Sequence, residues 1–229
     1  MEKLKVIFED NHIIVVEKPV NIPSQGDKTG DIDMISIIKD YLKEKYNKPG
    51  NVYLGLVHRL DRPVGGVMIF AKTSKAASRL SEEVRLKQFE KKYLVIANGK
   101  FEKDKGELED YLLKNQAKNM SKVVKEGTKN SKLAKLDYEV IKYDPDLNLS
   151  VVKINLHTGR HHQIRVQLAH AGHSIFGDQK YGTRGKGKQI ALWAYKLTIE
   201  HPITKEKMTF EDLPEPIGTW CILKNYNNE

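Results

Sequence analysis

The sequence predicts an α+β fold. Short runs rich in β-branched and aromatic residues, bounded by turn residues, recur along almost the whole chain. Apolar residues fall at helical spacing in only a few places: 35–46, 74–86, and the segment that follows His157. Periodicity by itself says no more than α+β.

Val6–Phe8 and Ile13–Val16 read as two strands of a hairpin, parted by the turn-like Glu-Asp-Asn-His. Lys18-Pro19 ends the pairing, because proline has no amide to donate. Ser24–Asp33 is a polar loop with two glycines. Asp33 can cap a helix whose buried stripe is Ile35, Ile38, Tyr41, Leu42 and Tyr46, stopped by Pro49-Gly50. Tyr53–Val57 and Val67–Ala71 read as strands. Ser74–Leu86 reads as a helix capped by Ser74, with Ala76, Ala77, Leu80 and Val84 on one face.

Lys91–Ala97 is a further strand, and Gly106–Lys135 is less regular. Between Lys114 and Lys135 there are seven lysines and one acid, Glu126. Val123-Val124 and Glu126-Gly127 suggest a basic hairpin there, either a phosphate-holding surface or a sheet edge protected by lysines. Leu136–Tyr143 and Leu149–Leu156 form a strand pair around Asp144-Pro145-Asp146. After His157, a helix starting at Thr158 or Gly159 buries Ile164, Leu168 and Ala171. The chain closes with strands at Leu192–Ile199 and Met208–Phe210, and Trp220 and Leu223 pack back on the core. No composition break, repeat or low-complexity tract divides it, so 1–229 reads as one domain.

The chain has 229 residues, long enough for one sizeable core or two small ones. Its net charge of +9 suits a polyanionic partner, RNA or DNA above all, without settling the matter. No apolar run is long enough to span a bilayer, and MEKLKVIFED lacks the features of a secretion signal. Cys221 is the single cysteine, which suits a reducing cytosol.

Two dense stretches carry the chemistry. Val57–Phe70 reads VHRLDRPVGGVMIF. Here Asp61 stands among His58, Arg59 and Arg62, just before a glycine-containing turn. Arginines this near favour the ionised carboxylate, and a carboxylate held at a turn is a candidate nucleophile. A plain surface ion-pair cluster is the competing reading. His157–Gly177 reads HTGRHHQIRVQLAHAGHSIFG, with Arg160, His162 and Gln163 where a helix start could meet phosphate.

These stretches resemble the RluA-type pseudouridine synthases. The resemblance rests on His58-Arg59-Leu60-Asp61-Arg62, on Lys91-x-Tyr93-Leu94, on Gly159-Arg160-x-His162-Gln163-x-Arg165, and on Gly177-Asp178-x-x-Tyr181-Gly182, in family order. Lys18-Pro19 matches as well. The chain departs from the family at Pro63-Val64-Gly65-Gly66, where a small residue and Thr-Ser-Gly are usual. It also has Asn21 for a glycine and His161 for a threonine.

The resemblance implies a mixed, largely antiparallel sheet flanked by helices and loops, with a cleft across it. It implies Asp61 as nucleophile, Tyr93 against the uracil, and Arg165 paired with Asp61. Arg59, Arg62, Lys91, Arg160, His162, Gln163 and Lys180 are then the candidate RNA contacts. It implies RNA, ribosomal or transfer, as the partner of a cytoplasmic enzyme without cofactor or metal; the oligomeric state is left open, with a monomer favoured. Many relatives add a small N-terminal RNA-binding domain; here target choice would fall to the fold's own loops. The competing class is an RNA-binding or assembly factor that keeps the scaffold without the chemistry.

Other chemistries fit poorly. Gly182-x-x-x-x-Gly187-Lys188 has Gln189 where a P-loop needs Ser or Thr, and no strand leads into it. The histidines 157, 161, 162, 170 and 173 lack a His-Glu-x-x-His spacing. There is no Gly-x-Ser-x-Gly elbow, and one cysteine cannot make a zinc deaminase site.

Overall fold

Residues 4–182 and 187–224 are described here, from a computed structural model. Residues 183–186 of the basic Gly182–Lys188 loop lie outside them. The elements begin with strands β1 (Val6–Glu9) and β2 (Ile13–Lys18), helix α1 (Met34–Tyr46), strands β3 (Gly55–Leu56) and β4 (Gly65–Ala71), and helix α2 (Ser74–Arg85). Strands β5 (Glu90–Asn98), β6 (Lys105–Asn115), β7 (Met120–Val124), β8 (Lys132–Asp144) and β9 (Leu149–Leu156) follow. Helix α3 (Gln163–His170), strands β10 (Leu192–Glu200) and β11 (Lys207–Glu211), and a 3-10 turn at Gly218–Leu223 complete the chain. The class is α+β, with a mostly antiparallel sheet. Among the described residues no helix is long and apolar enough to cross a membrane.

The chain divides into two compact units, Met1–Glu90 with Ala194–Leu213, and Lys91–Trp193 with Pro214–Glu229. In the first, β1 pairs with β2, β2 with β4, β3 with β4, and β10 with β11, all antiparallel. Every residue of β4 is buried, which is why GGVMIFA reads as continuously apolar rather than alternating. Ile13, Val15, Val67, Ile69 and Ala71 project from β2 and β4 onto Ala76 and Leu80 of α2. Burying each large aliphatic side chain contributes about 1.5–3 kcal/mol.

Asp33 caps α1 as expected, its carboxylate accepting from Ser36 N at 2.8 Å. The buried face of α1 is Met34, Ile38 and Leu42. Tyr46 is instead 44% exposed and donates its hydroxyl to Glu9. Helix α2 is capped by Thr73 rather than Ser74: the Thr73 hydroxyl accepts from Ala76 N at 3.2 Å.

In the second unit β5 pairs with β9, β9 with β8, β8 with β6, and β6 with β7, again antiparallel. The stretch expected to be irregular holds an eleven-residue strand, β6. The basic hairpin exists, but its turn is 116–119, with Asn119 in the left-handed region (φ 45), not Glu126-Gly127. Leu112, Ala134 and Val166 form a small core beneath it. Helix α3 starts later than expected, at Gln163. Six consecutive residues, Gln163–Leu168, are buried, so α3 is enclosed rather than amphipathic. At the C-terminal end Leu223 is buried, as expected, whereas Trp220 is only half-buried.

Candidate active site

In the first unit the site is a turn held from behind. Val64 N donates to Asp61 O at 2.9 Å, closing Asp61–Val64 into a tight turn. The Ser24 hydroxyl grips the residue before Asp61 at both ends, donating to Leu60 O at 2.9 Å and accepting from Leu60 N at 3.2 Å. Lys18, at the end of β2, is fully buried. Its Nζ donates to Pro19 O (2.8 Å), Arg62 O (3.0 Å) and Val64 O (2.7 Å). An ammonium has three N–H donors, and three carbonyls take them. Burial pushes the Lys18 ammonium down to about 7, against the pull of the Asp61 charge and with a push from Arg62.

Gly66 follows at φ 121, where a Cβ would stand 2.2 Å from Ala194 O. Only glycine fits there. Where the sequence departs from the resemblance, at 63–66, the turn is therefore still closed, and Gly66 stands where a side chain would clash.

Around this turn, His58 Nε2 accepts from Ile69 N at 3.2 Å and its ring meets Phe89 edge-on. Asp61 is half-buried and Arg59 exposed. Arg62 is bound to the polar loop 21–31. It donates to Asn21 O and to the Thr29 hydroxyl, both at 3.2 Å, makes a close pair with Asp31, and lies 3.7 Å from Asp27.

In the second unit, Lys91 and Tyr93 lie on one face of β5, two residues apart. Tyr93 is 7% exposed. Arg165 of α3 is 4% exposed and forms a two-pronged pair with Asp178, Nε to Oδ2 and Nη2 to Oδ1, both 2.7 Å. Burial pushes Asp178 up, but Arg165 and the amides of Lys180 and Tyr181 outweigh it and hold the carboxyl below its ordinary range. The Arg165 guanidinium also lies 5.3 Å from the Tyr181 ring centre. In the sequence Asp178 is legible only as part of the Gly-Asp-x-x-Tyr-Gly match.

The other predicted contacts divide by exposure. Lys180 is exposed and donates to Asn119 O at 2.9 Å; half-buried Arg160 donates to Leu133 O at 2.8 Å. Gln163 is 3% exposed and turned inward. Its Oε1 accepts from the Thr158 hydroxyl and Arg160 N, and its Nε2 donates to Lys135 O and Gln167 Oε1. It shapes the 158–160 loop. His162 is 8% exposed at φ 55, bonded to the Tyr181 hydroxyl and stacked on His161 at 3.7 Å between ring centres. His161 in turn bonds Ser121 and Asn119 of the hairpin. Among the described residues no three His, Cys, Asp or Glu side chains are grouped to hold a metal ion.

Residues 12–170 match the sequence family described as RNA pseudouridylate synthase. The chain is 32% identical over 226 residues to an uncharacterized RNA pseudouridine synthase of Aquifex aeolicus, covering 93% of this chain and 70% of that protein. It is 32% identical to an uncharacterized RNA pseudouridine synthase of Bacillus subtilis, covering 98% and 72%. It is 30% identical to the ribosomal large subunit pseudouridine synthase C of Haemophilus influenzae, covering 90% of this chain and 64% of that one. The fold resembles that of human RNA pseudouridylate synthase domain containing 4, with a TM-score of 0.78 at 21% identity over 92% of this chain and 89% of the other. Human RNA pseudouridylate synthase domain containing 1 gives 0.74 at 21% identity over 94% and 84%.

Proposed function

The chain belongs to the RNA pseudouridylate synthase family, and from that premise we propose that Asp61 is the nucleophile with which it isomerises one uridine of ribosomal or transfer RNA. The enzyme is an isomerase, an RNA pseudouridine synthase. The observation that carries the nucleophile is the turn itself. Asp61 is the one carboxylate in the 58–66 segment, and Lys18 and Ser24 fix the backbone on both sides of it. A rigid frame keeps a reacting oxygen in attack geometry.

The target uridine leaves its stack, at a cost of a few kcal/mol, which favours loops and weakly paired sites. The Asp61 carboxylate attacks either the ribose anomeric carbon or the uracil ring. The N1–C1′ bond breaks, the uracil keeps the electron pair, and the base turns. C5 then bonds to C1′, C5 loses its proton, N1 gains one, and Asp61 is released. The exchange is redox-neutral, so this reading calls for no cofactor or metal. Retention of the loose base makes rejoining faster than loss.

Tyr93 offers a flat apolar face to the uracil. Arg165 has five N–H donors, of which Asp178 takes two; the reading gives a further one to Asp61. Arg59, Arg62, Lys91, Arg160 and Lys180 hold the RNA backbone as charges. His162 and Gln163 serve binding through the loop they shape. The reading takes the 229 residues as one cytoplasmic catalytic domain and favours a monomer. The closed turn at 61–66 favours catalysis over a binding-only role. Mapping pseudouridine in cells with and without the gene is the test. One missing site is expected, and an unchanged map would instead support the binding factor.

A further inference from the structure

Resting on that reading, we propose that Lys91, together with the bare backbone of Gly159, is the receptor for the phosphate of the target nucleotide. Lys91 is half-buried, yet among the described residues its ammonium makes no hydrogen bond and no ion pair. Three other enclosed lysines are compensated. Lys18 has three carbonyls, Lys72 has Glu9 at 2.6 Å, and Lys196 has Glu211 at 2.5 Å. A cation withdrawn from water without a partner is costly, and folding alone gives no reason to keep it. Burial alone pushes the Lys91 ammonium down, with no carboxylate to restore it. An arriving anion would.

Two further facts identify the anion. Lys91 shares a strand face with Tyr93, about 7 Å along β5. That span is comparable to the distance from a nucleobase to its own phosphate. Gly159, exposed, leaves the approach open: a Cβ there would stand 3.7 Å from Lys91 Nζ. A bulky side chain at 159 would cover the ammonium without removing its charge.

The test uses the full chain and RNA purified from a strain lacking the gene, measuring binding against salt and the kinetics of pseudouridine formation. Lys91→Met should weaken binding roughly tenfold and lower the slope of log affinity against log salt by about 0.7–0.9, one phosphate contact. KM should rise more than kcat falls. Lys91→Arg should keep the slope. Gly159→Val, which retains the charge, should weaken binding and lower the slope like Lys91→Met. Lys103→Met, at an exposed lysine in the β5–β6 connection, should leave the slope in place. An unchanged slope in Lys91→Met, or an equal loss in Lys103→Met, would overturn the phosphate site. Failure of the functional reading looks different: the wild-type chain would bind RNA with the Lys91-dependent slope and form no pseudouridine.

Discussion

Replacing Lys18 by methionine separates the stability of the nucleophile turn from its geometry. The substitution keeps length and apolar bulk but takes the donor from Pro19 O, Arg62 O and Val64 O. A buried acceptor left unpaired costs about 1–3 kcal/mol, so three cost about 3–9. Against this, the ammonium is buried at a cost that its fall from 10.5 to about 7 puts at about 5 kcal/mol below neutral pH. The two nearly cancel, and Lys18→Met should fold with a stability within a few kcal/mol of wild type. Its turn, however, loses the rivet behind Asp61. A displacement on the order of 1 Å there costs about a hundredfold in rate.

The sign of the pH dependence is opposite for the two properties. Between pH 7 and 10.5 the unfolded chain holds a proton on Lys18 that the folded chain has lost. Wild type therefore gains stability over Lys18→Met as pH rises through that window, and the difference is flat below 7. Turnover moves the other way. A neutral amine has two N–H groups for three carbonyls, so wild-type kcat should fall above pH 7. Urea unfolding across pH and single-turnover pseudouridine formation measure both. A Lys18→Met enzyme with turnover within twofold of wild type would refute this reasoning.

Arg165→Lys keeps the charge but not the two-pronged contact with Asp178; it should cost about 2 kcal/mol of stability in urea unfolding and at least tenfold in kcat. Asp31→Asn removes the closest carboxylate from Arg62, so RNA should bind about two- to fivefold more tightly at low salt in a filter-binding titration, with the gain lost at high salt.

The parts legible from the sequence are those where local pattern and burial agree. Val67–Ala71, the Asp33 cap and the β8–β9 pair are such cases. Strand β6 escaped because KGELEDYLLKN mixes charged and apolar residues over a largely exposed surface, which blurs its alternation. Helix α3 starts late because the Gln163 side chain holds residues 158–160 while a turn from Gln163 N to Arg160 O precedes the first helical residue. The partners of Asp178 and Lys18 are hidden for a different reason. Asp178 meets its arginine thirteen positions away, and Lys18 reaches carbonyls more than forty positions on. Neither link has a spacing that sequence alone reveals. Gln163 and His162 matched their motif, but only geometry shows that they face inward.

The most direct measurement is the pseudouridine map of RNA from cells that carry Asp61→Asn in place of the natural gene. The substitution swaps one carboxylate oxygen for an amide nitrogen and leaves the backbone bonds of the turn in place. The predicted result is the loss of a single pseudouridine, restored by the wild-type gene, while the purified variant still binds RNA at close to wild-type affinity. A map identical to wild type would contradict Asp61 as the nucleophile.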